Sequence, residues 1–201
     1  MKKVLIVAAV IVAVVTGRAQ AQSKMEPGNV NIFFRAGAPF AQMSKFNEAP
    51  FDDFTAKSPA LGLGYELGMF TDGLALGLEI NYATFKSNTT ITDPTGTVAH
   101  RYGDASVVNF EFFAKYYTPL KFGPIGTYVR ADILPFAIYK KNRTTDYNTG
   151  AQTFSNKSGV KMTYGAYAGG TFQLTKSLNA FAEIGYGYTA FNAGISLGFG
   201  N

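Results

Sequence analysis

In eight separate stretches of this 201-residue chain, apolar side chains recur at every second position. That period belongs to β-strands, whose successive side chains point to opposite faces. Leu61, Leu63, Tyr65, Leu67 and Met69 alternate with Gly62, Gly64, Glu66 and Gly68. After Thr71-Asp72-Gly73 the parity switches: Leu74, Leu76, Leu78, Ile80 and Tyr82 alternate with Ala75, Gly77, Glu79 and Asn81. Turn residues between two such runs predict a tight hairpin. The same pattern fills 29–36, 108–116, 127–133, 160–168, 178–188 and 192–199. Pro135 interrupts the fifth stretch, and a residue without an N–H predicts a bulge there.

The two faces differ in a way that selects among all-β architectures. One face is broad, aromatic and apolar on every stretch, while the other carries Gly, Ala, Ser, Asn and a few charges. A soluble sandwich would dress its outer face with solvated polar side chains. A lipocalin-like barrel would line a cavity with its apolar groups. Small residues suit the crowded inside of a narrow barrel, so the large apolar groups must point outward, into lipid. The connections alternate in length. Those over about 39–58, 87–104 and 141–158 are long and polar, whereas those near Asp72, Lys121 and Lys176 and around Ala190–Asn192 are short. Long loops at one end and short turns at the other follow the plan of an outer-membrane barrel. The fold expected is therefore all-β: an eight-stranded antiparallel up-and-down transmembrane β-barrel. Phe70, Tyr82, Tyr116, Tyr117, Tyr139, Phe172, Tyr188, Phe191 and Phe199, near the strand ends, are expected to form interfacial girdles.

The first 21 residues read as an address. Lys2 and Lys3 precede the apolar run Val4 to Val15, and Ala19-Gln20-Ala21 follows as a cleavage site, the pattern of a cleavable signal peptide. Residues 1–21 are thus expected to be removed and 22–201 to form the barrel. The formal charge of +5 falls to about +2 once Lys2, Lys3 and Arg18 are taken away, so no nucleic-acid partner is expected. The chain has no Cys and one His, which excludes disulfide scaffolds, thiolate metal sites and multi-His centres. No cofactor is expected.

Parity directs nine charged residues inward: Arg35, Glu66, Glu79, Glu111, Lys115, Arg130, Asp132, Lys161 and Glu183. A charge in hydrocarbon must face the interior and find a partner. A network built on Arg35 and Arg130 with Glu66, Glu79, Glu111 and Glu183 is expected to plug the lumen. Its alternative is a gate or narrow path for ions, and a catalytic role for paired carboxylates is the least favoured. No strand carries a His, and no G-x-S-x-G is present. His100 reads as a solvated loop residue. Asp52 and Asp53 lack the spacing of a calcium loop.

With these eight strands, three long loops and the closing stretch NAGISLGFGN, the chain resembles the small outer-membrane β-barrels, which include the OmpX-like proteins and the OmpA transmembrane domain. The resemblance covers residues 22–201. It departs from the family's pattern at the C-terminus, where Phe199 is followed by Gly200 and Asn201. It implies a monomer of the bacterial outer membrane, with short turns and both termini periplasmic. It further implies contact with outer-membrane lipid, handling by the barrel-assembly machinery, and loops that display a surface to an external ligand. The function expected is structural or surface-interacting and non-enzymatic. The alternatives are a narrow porin-like channel and an outer-membrane lipid-modifying enzyme.

Overall fold

The computed structural model describes residues 25–39, 54–92 and 96–199. The segment read as a signal peptide, and the part of the first connection that holds Asp52 and Asp53, lie outside these residues. Every regular element described is a strand: β1 (Val30–Pro39), β2 (Thr55–Ala56), β3 (Ala60–Gly68), β4 (Leu74–Thr92), β5 (Val98–Phe122), β6 (Ile125–Asp132), β7 (Phe136–Tyr147), β8 (Gln152–Met162), β9 (Ala166–Gln173), β10 (Leu178–Tyr186) and β11 (Thr189–Phe199). All pairings are antiparallel. β2 with β3, β6 with β7, and β8 with β9 each form one interrupted strand, so the segments make a ring of eight. β1 closes it against β11, from Val30↔Phe199 to Pro39↔Thr189.

The interruption between β6 and β7 has a local cause. Opposite Phe113 stands Asp132 and opposite Phe110 stands Phe136, so three residues of one strand face two of the other. The amides of Ile133 and Leu134 both donate to the Phe112 carbonyl, at 2.7 and 3.4 Å. Pro135 has no N–H to contribute, and a bulge absorbs it. The extra residue flips the parity. Tyr128 and Arg130 point inward on β6, whereas Ala137, Tyr139 and Lys141 do so on β7.

Two expected long loops are paired strand instead. β4 and β5 stay in register from Leu74↔Tyr116 to Thr92↔Val98, so 87–92 and 98–104 are paired strand that lengthens the barrel wall. Likewise β7 and β8 pair from Phe136↔Met162 to Asp146↔Gln152, which leaves only a short turn of the expected loop 141–158. Asn, Thr and Lys read as loop residues, yet here they alternate about a fully hydrogen-bonded ladder. The last connection also moves, to residues 187–188, with β11 already begun at Thr189.

On the outside, Tyr82, Val108, Ile138 and Val160 stand side by side across β4, β5, β7 and β8. Below that row every outward position of β4 is apolar: Leu74, Leu76, Leu78 and Ile80. One row above stand Thr84, Ser106, Lys140 and Ser158. The apolar belt therefore ends within a single step of two residues. From Leu74 to Tyr82 it spans nine residues, within the roughly 9–11 of a membrane-crossing strand. Above it the four strands continue as a polar projecting sheet.

Candidate functional site

The lumen is filled in layers. At the short-turn end Met25, Ala75, Tyr117 and Tyr128 pack together. Phe33, Phe113 and Phe181 form the next layer, with edge-on rings 5.9 and 6.1 Å apart. The ion network follows. Phe54, Phe85, Val107, Tyr139 and Tyr188 pack at the opposite end. Glycines make room for these groups. A Cβ on Gly77 would stand 2.3 Å from the Phe113 ring, and one on Gly62 would stand 2.4 Å from a Glu79 carboxylate oxygen. Small residues inside are thus the counterpart of large ones on the facing strand. Between Phe33, Phe113, Lys115, Arg130, Phe181 and Glu183 the remaining void is about 10 Å³, room for about one water.

Two guanidiniums and four carboxyls form the central network, contributed by β1, β4, β5, β6 and β10. Arg35 binds Glu79 and Glu183 closely, and its NH2 lies 3.0 Å from Glu111. Arg130 lies 2.8 Å from Glu79, in close contact with Glu111, and 3.3 Å from Asp132. Glu79 and Glu111 stand directly opposite each other on β4 and β5. Two like charges so placed repel, and each arginine spans both of them. Amides complete the shell. Asn109 donates to Glu111 at 2.6 Å, Asn192 to Glu183 at 2.9 Å, and Arg35 Nε to Asn81 Oδ1 at 3.3 Å. The Tyr128 hydroxyl donates to Glu183 at 3.0 Å. The Arg130 guanidinium also lies over the Phe113 ring, 4.0 Å from its centre.

Glu66 is not part of this centre. It belongs to a second cluster near the short turns. Lys115 Nζ lies 3.1 Å away, Asn31 donates to it at 2.8 Å, and Tyr117 donates in close contact. Lys115 sits 4.0 Å over the Tyr128 ring. The Phe33–Phe113–Phe181 layer lies between the two clusters and Tyr128 links them, its ring under Lys115 and its hydroxyl on Glu183, which parity along single strands does not reveal. Lys161, on β8, stands opposite Ala137 of β7 and is only partly covered. Of the aromatics expected in girdles, Tyr117, Tyr139 and Tyr188 are buried inside. Phe70, Tyr82, Tyr116, Phe191 and Phe199 are exposed on the outside, and Phe70 is 91% exposed.

His100 stands on the outer face of the projecting sheet, with its Nδ1 2.9 Å from Thr90 Oγ1. Nearby, Tyr102 donates to Asp146 at 3.0 Å, and this hydrogen bond, which ionisation would break, raises the phenol above its ordinary range, helped by the carboxylate's charge. The inner face of the same sheet holds groups that the loop reading missed. Lys141 and Arg143 are 3% and 2% exposed, with Lys141 over the Tyr139 ring and Arg143 over the Phe54 ring, both at 5.3 Å. Burial alternates from Ala137 through Thr145, but the residue types do not, with Lys140 beside Lys141 and Thr144 beside Thr145, so the sequence carried no clear signal there.

No family model and no curated protein matches the chain. Among solved structures it is similar to the N-terminal β-barrel domain of Pseudomonas aeruginosa OprF, at 13% identity and a TM-score of 0.43, over 86% of this chain and 98% of that one. It is similar to the attachment invasion locus protein Ail of Yersinia pestis, solved with the heparin analogue sucrose octasulfate, at 10% identity and a TM-score of 0.43, over 86% and 99%. It is also similar to the KdgM porin in complex with oligogalacturonate, at 11% identity and a TM-score of 0.29, over 85% and 99%. These are small outer-membrane β-barrels, the group the alternation led to, and the likeness is one of fold.

Proposed function

We propose that this chain is an integral, non-enzymatic barrel of the bacterial outer membrane, closed to solutes by its own side chains and active through the sheet that projects from it. The filled lumen carries this reading: four packed layers, with a void of about 10 Å³ beside the ion network. A hydrated ion needs a continuous water-filled path, and one water's volume is none. The apolar belt, ending abruptly between Tyr82 and Thr84, supports membrane residence. The carboxylates face guanidiniums and amides in a lumen with no room for a substrate beside them, which argues for neutralisation rather than catalysis. The reading also takes the chain to be a monomer that needs no cofactor, with the short turns facing the periplasm and the projecting sheet outside.

Single-channel recording of the exported protein in planar bilayers tests it. Stable insertion without steady current is expected. A steady, ion-selective current that changes when Arg35 and Arg130 are both replaced by Ala would overturn the closed barrel and favour a channel.

A further inference from the structure

Two concavities lie one above the other on the outer wall formed by β3, β4, β5 and β7. The lower is an apolar groove of about 540 Å³ within the belt, lined by Leu63, Tyr65, Leu78, Ile80, Phe110 and Phe136 among others. Phe110 and Phe136 stack at 5.0 Å and form one wall. The bulge at Pro135 turns Leu134 outward as a lip, 60% exposed. The upper concavity, about 190 Å³, is lined by Lys57, Thr84, Asp104, Ser106, Lys140 and Asn142. One outward row, Tyr82–Val108–Ile138, separates the two. Lys86 stands opposite Asp104 in the next row up and is exposed. Among the described residues around this upper site, three lysines face one carboxylate. The ion pair of Lys57 with Asp104, at 3.8 Å between two exposed side chains, is weak.

An apolar groove that leads up to a cationic, hydroxyl-bearing pocket at the edge of the belt has the polarity of one kind of molecule. From this stacking we infer a binding site for a phosphorylated membrane lipid, with an acyl chain in the lower groove and the headgroup phosphate between Lys57, Lys86 and Lys140. Lysine binds phosphate as a point charge, and hydroxyl and amide donors from Thr84, Ser106 and Asn142 complete the oxygen shell. Cations at the membrane surface attract anionic lipid in general. The groove beneath them makes this position select a lipid rather than a free anion. The site rests on the membrane reading above.

Native mass spectrometry of the detergent-solubilised full-length exported protein tests the site, with diphosphoryl lipid A, its phosphate-free counterpart and inorganic phosphate as probes. One diphosphoryl lipid retained per barrel is expected, with at least about tenfold weaker retention of the phosphate-free lipid and none of inorganic phosphate. Replacing Lys57, Lys86 and Lys140 together by Gln should weaken retention by a similar factor. Ile80→Trp, which fills the groove and leaves the lysines untouched, should do the same. Equal retention of both lipids, or retention unchanged in either variant, would overturn the site. A barrel that enters vesicles yet shows that result leaves the membrane reading intact. One that fails to enter vesicles removes both.

Discussion

Arg35 is one of the two cations that hold the buried network together. It is 1% exposed and touches three carboxylates from three strands. Removing one member of a buried ion cluster leaves charges without partners, which costs about 3–5 kcal/mol. Arg35→Ala is therefore expected to lower the urea stability of the inserted barrel by about that amount. Glu66→Gln touches only the lower cluster, so its cost should add to that of Arg35→Ala. Strong non-additivity between the two would mean that the clusters communicate through Tyr128, whose ring lies under Lys115 and whose hydroxyl reaches Glu183. The interior glycines make a second demand at this scale. Gly77→Val would drive a methyl into the Phe113 ring and into the Tyr65 carbonyl, which lies 2.5 Å from the added Cβ. The variant should fail to reach the compact form that migrates faster on unheated gels. Relief by Phe113→Ala should be only partial, because the carbonyl remains.

At the scale of the strand, β4 reports where the membrane ends. Ile80 lies within the apolar belt and Thr84 lies beyond it, on the same face and four residues apart. Arginine on a lipid-facing strand costs about 2–4 kcal/mol near the midplane and about 0–1 kcal/mol near an interface. Ile80→Arg should thus destabilise the barrel in lipid vesicles by several times as much as Thr84→Arg. Equal costs would place the boundary elsewhere. The projecting parts of β4, β5, β7 and β8 owe their regularity to the ladder more than to side-chain propensity. Asn88↔Tyr102 and Asn142↔Asn156 are pairs that a strand rule alone would not choose. An existing hairpin is extended cheaply, since each added pair supplies backbone hydrogen bonds without a new loop to close.

For the whole molecule, closure is the decisive event. β11 lies between β1 and β10, so its amides have ladder partners on both sides. Ile195→Pro removes a donor from a strand without a free edge and should disrupt the ladder on which closure depends. The expected result is loss of the heat-modifiable folded form, with residual β-structure by circular dichroism. Contacts between the first and last strands also make this a topology of long sequence separation, for which slow folding is the norm.

Alternation, turn residues and the inward sorting of charge were written in the order of amino acids. Each depends on a side chain's position relative to its immediate neighbours along one strand, so eight strands and the inward direction of Arg35, Glu79, Glu111, Arg130 and Glu183 could be read without coordinates. Which inward charges meet is a different kind of fact. It depends on the shear and register between strands far apart in sequence, and these brought Arg35 to Glu183 across the β1–β11–β10 face while assigning Glu66 to Lys115. The same holds for 87–104 and 141–158. Polar composition there says only that the residues meet water, and whether water meets a loop or the face of a paired sheet is settled by the partner strand. Pro135 shows both levels at once: its missing N–H is local, but the parity of β7 and the burial of Lys141 and Arg143 follow from how the opposite strand absorbs the bulge.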